Sequence, residues 1–212
     1  MPNKNTICCI LIILFHLVGL IGFLIPSTVS LFLKLVPFHL LLMFFLMLIS
    51  QSHKGKYQFY ILIASVFLAG YLVEVAGVHT GKIFGEYTYG NTLGIKLFDV
   101  PLMIGVNWII LVYAVGVSME ASRLKSPVFK AFAGALVLVL LDVLIEPIAI
   151  KFDYWGWTQN SIPLQNYLAW FIVSFAMLGL FNYLKFNKEN RAAVVLLGTQ
   201  FAFFIALNLW DL

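Results

Sequence analysis

Residues 131–149 read A-F-A-G-A-L-V-L-V-L-L-D-V-L-I-E-P-I-A. A bilayer core about 30 Å thick is crossed by roughly 20 mostly apolar helical residues, so this run has the length and character of a membrane span. It also carries two carboxylates, Asp142 and Glu146, where an apolar span should have none. The same length criterion applied outward gives about seven spans, at 7–25, 31–50, 59–78, 100–118, 131–149, 165–184 and 193–210. The span at 31–50 is the least regular, because Lys34 and Pro37 sit near its start. Pro26-Ser27 marks the first turn. No polar stretch is long enough for a soluble domain. The expected fold is an all-α, polytopic membrane helix bundle forming one transmembrane domain over 1–212, with a motif-bearing core at 74–170.

Composition agrees. Hydrophobic residues make up 62% of the chain and charged residues only 10%, whereas soluble domains are about 45–50% apolar and about 25% charged. So few charges cannot coat a water-facing surface, and most of the solvent must be lipid. Disordered, collagen-like and coiled-coil classes are excluded as well. Cys8 and Cys9 are adjacent and support neither a disulfide framework nor a metal quartet; they read as apolar filler. No basic-aromatic interleaving suggests nucleic acid. The first apolar run is too long for a signal peptide and has no small-residue cleavage site, so it is expected to be retained as a span.

Lys and Arg set the orientation. Lys4, Lys54, Lys56, Arg123, Lys125, Lys130, Lys185, Lys188 and Arg191 fall on one side, and Lys34, Lys82, Lys96 and Lys151 on the other. The richer side is expected to be cytoplasmic. This puts the N-terminus inside, the C-terminus outside, and the loops 79–99 and 150–164 on the non-cytoplasmic face.

Within the helices only Glu74, Asp142 and Glu146 are acidic. A charge at a helix centre costs about 2.5–3.5 kcal/mol on insertion scales, so such residues are functional candidates by default. Asp142 and Glu146 are four apart and share a helix face. Two close acids in a poorly solvated site are not expected to ionise together, and a protonated carboxyl in an apolar pocket is a general acid. Pro147 removes the hydrogen bond to the Val143 carbonyl, which is expected to open a hydrated kink near the acids. The bland alternative is that the acids only pair with neighbouring polar groups, and Glu146 has a further one, solvation near the interface.

Trp155, Trp157, Trp210, Tyr87 and Tyr89 read first as an interfacial aromatic belt. His16 and His39 lie on apolar helices and read as packing residues, with no zinc or iron spacing. His79 follows the third span as a loop donor or proton relay. A weak internal echo links Glu74, an aromatic loop, Pro101 and Trp108 with Glu146, an aromatic loop, Pro163 and Trp170. In both units the Trp lies seven residues after the Pro. Such an echo suits a parallel repeat with a site between its halves, or chance.

Taken together, E-V-A-G-V-H-T-G-K-I-F-G-E-Y-T-Y at 74–89, D-V-P at 99–101 with Trp108, D-V-L-I-E-P at 142–147, Y-W-G-W at 154–157 and I-P-L-Q-N at 162–166 with Trp170 resemble the bacterial and archaeal carotenoid biosynthesis membrane proteins, the CruF-like carotenoid 1,2-hydratases. The residue before Pro147 departs from the family pattern, with Glu146 where Asp is usual, which lengthens the reach of the carboxylate. The resemblance implies an enzyme that adds water across the terminal double bond of a lipid-dissolved acyclic ψ-end carotenoid such as lycopene, with no cofactor and no metal. Protonation of the alkene gives a tertiary carbocation, which water captures. Asp142, the deepest acid, is the expected proton donor, with Glu74 or Glu146 activating the water. The ring faces of Trp108, Trp170 and Tyr87 would shield the cation. Asn107 and Asn166 would orient the water, or equally bind helix to helix. Tyr89 and His79 complete the candidate substrate-binding set.

A lycopene-type cyclase begins with the same protonation and remains the nearest alternative. A small proton-coupled transporter also fits intramembrane carboxylates, although the cytoplasmic halves are expected to lack matching polar residues. A retinal-binding photoreceptor needs a Lys in the last span, and 193–210 has none. A membrane prenyltransferase needs an aspartate-rich diphosphate motif, and none occurs.

Overall fold

The structure, a computed structural model, describes residues 3–52, 55–159 and 161–210. Lys54, counted above among the charges of one side, lies outside the described residues. Seven helices run α1 Lys4–Leu24, α2 Val29–Ser50, α3 Lys56–Thr80, α4 Leu102–Glu120, α5 Pro127–Lys151, α6 Leu164–Tyr183 and α7 Arg191–Trp210. All seven are long and apolar enough to cross a membrane. Each matches an expected span to within a few residues. The second helix continues through Pro37 without a break, as membrane helices allow when neighbours satisfy the freed backbone group.

The helices differ in how much of themselves they bury. In α4, 72% of the apolar window is buried, against 17–39% in the other six. It is therefore the central helix, and its Trp108, Ile110, Leu111, Val112 and Tyr113 are almost wholly enclosed. The remaining helices surround it and keep an apolar outer face, with Ile10, Leu140 and Ile172 all more than half exposed. In water this would be an error of patterning; in lipid it is the outer surface of the fold.

The loops at one end fold back onto the bundle. Strand β1 (Tyr87–Tyr89) pairs antiparallel with β4 (Trp155–Trp157), matching Tyr87 with Trp157 and Tyr89 with Trp155. A second small ribbon joins β2 (Lys96–Leu97) to β3 (Val100–Pro101) through Phe98 and Asp99, both at positive φ, the backbone of a tight primed hairpin turn. Tyr71 of α3 donates to the carbonyls of Leu97 and Val100 and pins this hairpin down.

The opposite end holds a polar network of its own, built from Gln51, Tyr113 and Asn190. Tyr113 donates to Gln51, whose amide donates to the Asn187 carbonyl at 2.7 Å. Asn190 donates to the Met47 carbonyl at 3.0 Å and to the Tyr113 hydroxyl at 3.2 Å, and its own carbonyl caps α7 by accepting from Ala193 N–H at 3.2 Å. These groups satisfy one another and tie α2, α4 and α7 together. Asn190→Leu leaves several buried partners unpaired, at about 1–3 kcal/mol for such a group. The expected result is a clear drop in the melting temperature of the detergent-solubilised protein; an unchanged melting temperature would remove Asn190 from the framework.

Candidate functional site

Glu74 faces inward from α3 with Gly70 and Gly77, at helical spacing i, i+4 and i+7. The two glycines are needed for close approach. A Cβ on Gly70 would stand 2.5 Å from Trp108 Cγ, and one on Gly77 would stand 2.7 Å from Phe84 and 3.1 Å from the Tyr87 hydroxyl. Through these gaps three aromatic donors reach Glu74. The hydroxyls of Tyr87 and Tyr89 donate to Oε2 at 2.5 and 2.8 Å, and Trp108 Nε1 donates to Oε1 at 3.1 Å. Burial, and then the neighbouring Glu74 charge, push both phenols well above the usual tyrosine range, so they act as donors that keep their protons.

Glu146 has a matching set. Trp155 and Trp157 donate their indole N–H groups to Oε2 at 3.1 and 2.8 Å. Asn166 of α6 bridges the acids of α5, donating from one amide nitrogen to Asp142 Oδ2 at 2.8 Å and to Glu146 Oε1 at 3.2 Å. Only 1% of Glu146 is exposed, so it is not the solvated interfacial residue that its position near a helix end suggested. Asp142 is as deeply buried, and its Oδ1 has no hydrogen-bond partner among the described residues. All three acids lie close enough for Glu74 to act electrostatically on the other two.

Glu74 and Glu146 line one cavity of about 30 Å³, enough room for a water or two. Tyr87, Tyr89, Trp108, Trp157, Asn166 and Trp170 also line it. Through Ile104, Asn107 and Trp155 it adjoins a larger, mainly apolar cavity of about 340 Å³ between α1, α2, α4, α5 and α7. Asn107, which makes no hydrogen bond to another described residue, stands at that junction.

Several expectations change. Asp142 lines neither cavity and meets the site through Asn166. Trp108 and Trp170 stack on each other, with centroids 4.4 Å apart and planes 23° apart, so each covers one face of the other. His79 is not brought to the acids; it is exposed at the end of α3, 3.7 Å from Asp99. Val143 and Pro147 are both exposed, so the broken helix bond lies on the outer face of α5 and opens no hydrated gap between the acids. Beside it, Asn208 of α7 donates to the Leu144 carbonyl at 2.8 Å. Trp155 and Trp157, read from sequence as interfacial belt, are instead donors of the site. Their W-x-W spacing, matched by Y-x-Y at 87–89, was the available signal: alternate strand residues share a face. Trp210 remains exposed at its helix end, as a belt residue should be.

Seven lipid-length helices, with buried carboxyls beside a water-sized cavity, define a multi-pass integral membrane protein with a polar site inside the bundle. Its relatives are consistent with that class. The sequence pattern of the family described as carotenoid biosynthesis protein matches residues 34–211, and the chain belongs to that family. A bisanhydrobacterioruberin hydratase of Haloarcula japonica is 29% identical over 123 residues, a match that takes in 55% of this chain and 42% of the relative, so the chain spans less than half of that protein's length. No solved structure gives a significant match.

The close approach at Gly70 is testable. Gly70→Val forces Trp108 away from Glu74, at about 1–3 kcal/mol for overpacking, and should lower the melting temperature by several degrees. Gly179→Ala, with open space around it, is the control, neutral or stabilising in a helix.

Proposed function

We propose that this protein is a carotenoid hydratase that adds water across the terminal 1,2 double bond of an acyclic ψ-end carotenoid. The observation that carries this reading is the cavity of about 30 Å³ whose wall holds both Glu74 and Glu146 and which opens toward an apolar cavity large enough for the end of an isoprenoid chain. The family and the hydratase relative support it.

The chemistry needs a proton donor, a positioned water and a proton acceptor on either side of a cation. Glu146 is assigned as the acid, because Trp155, which binds it, also lines the apolar cavity from which the alkene arrives. Its proton goes to the less substituted alkene carbon, and the π electrons form the new C–H bond. The tertiary cation left behind faces aromatic walls, which attract cations. Water in the small cavity attacks that carbon, and Glu74 takes the proton released as the C–O bond forms. The phenol donors hold Glu74 as an acceptor. One water is added, no electrons are gained or lost, and proton transfer from Glu74 to Glu146 resets the site. Asp142 is reassigned from acid to positioning residue, sharing the Asn166 amide with Glu146.

Cyclisation would require the same acid but no water at the cation, and the water-sized space between the two glutamates favours hydration. The bias of Lys and Arg supports placing this end of the bundle on the non-cytoplasmic side of the inner membrane, with the substrate entering sideways from lipid.

The test is expression in a host that accumulates acyclic carotenoids, grown in 18O-labelled water. The expected product is heavier by one water and carries the label in its hydroxyl; products of unchanged mass would establish a cyclase instead. Glu74→Gln and Glu146→Gln should each lower turnover by about 10²-fold or more, the usual scale of general acid–base catalysis, with protein still in the membrane. Asp142→Asn should lower it less and alter its pH profile. Near-normal product from either glutamate variant removes that residue from the mechanism.

A further inference from the structure

Asn107 of α4 has no task in the proton transfers between the glutamates. It is half-buried and lines both the polar cavity of about 30 Å³ and the apolar cavity of about 340 Å³. An asparagine in a membrane helix normally bonds to a neighbouring helix or to nearby backbone. The other helical asparagines do so. Asn5 accepts from Ser50, Asn166 donates to Asp142 and Glu146, Asn182 to the Pro127 carbonyl, and Asn208 to the carbonyls of Leu144 and Phe204. Asn107 makes no hydrogen bond to another described residue. It is therefore no tie between helices, and its amide is free for whatever fills the space beside it. Ile104 and Trp155 share both cavities with it. Ile104 has no polar side-chain atom, and the indole N–H of Trp155 is already given to Glu146 at 3.1 Å.

Glu74 has a free position facing the same space. Its Oε2 accepts from both tyrosine hydroxyls, which uses the two lone pairs of that oxygen. Its Oε1 accepts only from Trp108, at 3.1 Å, and keeps one lone pair. Trp108 follows Asn107 directly on α4. A water in the small cavity thus has two acceptors for its hydrogens, Glu74 Oε1 and the Asn107 carboxamide oxygen. With both hydrogens turned to them, an oxygen lone pair is left for a carbon arriving from the apolar side. A carboxamide suits this place for a second reason. A tertiary cation gives up a neighbouring proton to any adequate base, which restores an alkene. An amide oxygen accepts a hydrogen bond but is too weak a base to take that proton.

We propose that Asn107 aims the attacking water and so decides the fate of the cation. With the amide in place the cation is captured by oxygen; without it the cation loses a proton, directly or after closing on its own chain. This rests on the reading of the chain as a hydratase, and it makes Asn107 a determinant of product. Atoms balance in both branches. Capture forms a C–O bond and passes a proton of the water to Glu74. Loss breaks a C–H bond beside the cationic carbon, returns the electron pair to a carbon–carbon double bond and gives the proton to a carboxylate of the site, with no water added.

The test uses the purified full chain in lipid nanodiscs made up in D2O, an acyclic ψ-end carotene, and mass analysis of the pigments. Protonation delivers deuterium to carbon whatever follows. The ratio of hydrated carotene to unhydrated carotene bearing carbon-bound deuterium therefore reads the fate of the cation alone, which a merely structural role would not move. The wild type should give mainly the hydrated product. Asn107→Leu, of similar shape, should lower the ratio about tenfold or more, the scale of one lost hydrogen bond, with deuterium still entering unhydrated carotene. Asn107→Gln, which keeps the carboxamide, should restore part of it. A wild-type ratio in Asn107→Leu, or a ratio in Asn107→Gln no higher than in Asn107→Leu, overturns the proposal. If Asn107→Leu does not fold, Asn107→Ala is read in its place; loss of both products in every variant makes Asn107 a framework residue and also overturns it. If the wild type hydrates and the ratio never moves, hydration stands and the role of Asn107 falls. If the wild type forms no hydrated product, the hydratase reading falls and this role with it.

Discussion

A carboxyl group inside a lipid-facing bundle must be given hydrogen-bond donors by the protein, because the bilayer supplies none. Three such groups share one end of this bundle, and much of the local structure is what meeting that demand requires. Glu74 and Glu146 each accept from two aromatic side chains carried by a loop, at 2.5 and 2.8 Å for Glu74 and at 3.1 and 2.8 Å for Glu146. Those loops cannot lie loosely over the headgroups. They fold inward, pair as β1 and β4, and present alternate residues to the acids. Gly70 and Gly77 lack side chains where aromatic rings must come close, and the central position of α4 places the buried Trp108 within reach of Glu74.

The weak echo noticed in the sequence gains physical content here. The two aromatic loops pair with each other, residue against residue, and the two tryptophans that each follow a proline by seven positions stack on each other. Each glutamate is served by the strand of its own unit. The units are nevertheless unequal. Two phenols and one indole serve Glu74, while two indoles and an amide shared with Asp142 serve Glu146. A pair of like acids in unlike surroundings is what a division into proton donor and proton acceptor requires, and on the proposed reading that inequality separates the two roles.

Most of the fold was legible because hydropathy over a fixed length is a one-dimensional signal, and even Pro37 did not disturb it. The acids were legible for the complementary reason, that charge in an apolar span is costly. What could not be read was the partner of each group. Trp155 and Trp157 look the same in sequence whether they lie in the interface or turn inward, and only pairing with residues 87–89, far away in the chain, decides between the two. Asp142 looked like the foremost acid because depth along α5 can be counted, whereas its separation from the cavity by Asn166 depends on how α6 packs against α5. His16 and His39 looked like isolated packing residues, since nothing local shows that they share a cavity with Gln200.

The placement of the site has a further consequence for a reaction between water and a polyene. These reactants live in different phases, and a site deep in the bundle or out in solution would exclude one of them. Here the acids lie about two helical turns from the loop-bearing end, near enough for water to be drawn into a small polar cavity, while the apolar cavity beside it is walled by Phe15, Val18, Leu35 and Phe38, which are exposed on the outer face of the bundle. Ile104, Asn107 and Trp155 line both cavities. A cation formed at such a boundary would meet the little water the small cavity admits and otherwise only aromatic and aliphatic walls. On the proposed reading, the size of that polar cavity, more than the strength of the acid, sets whether the cation is hydrated or closes on its own chain.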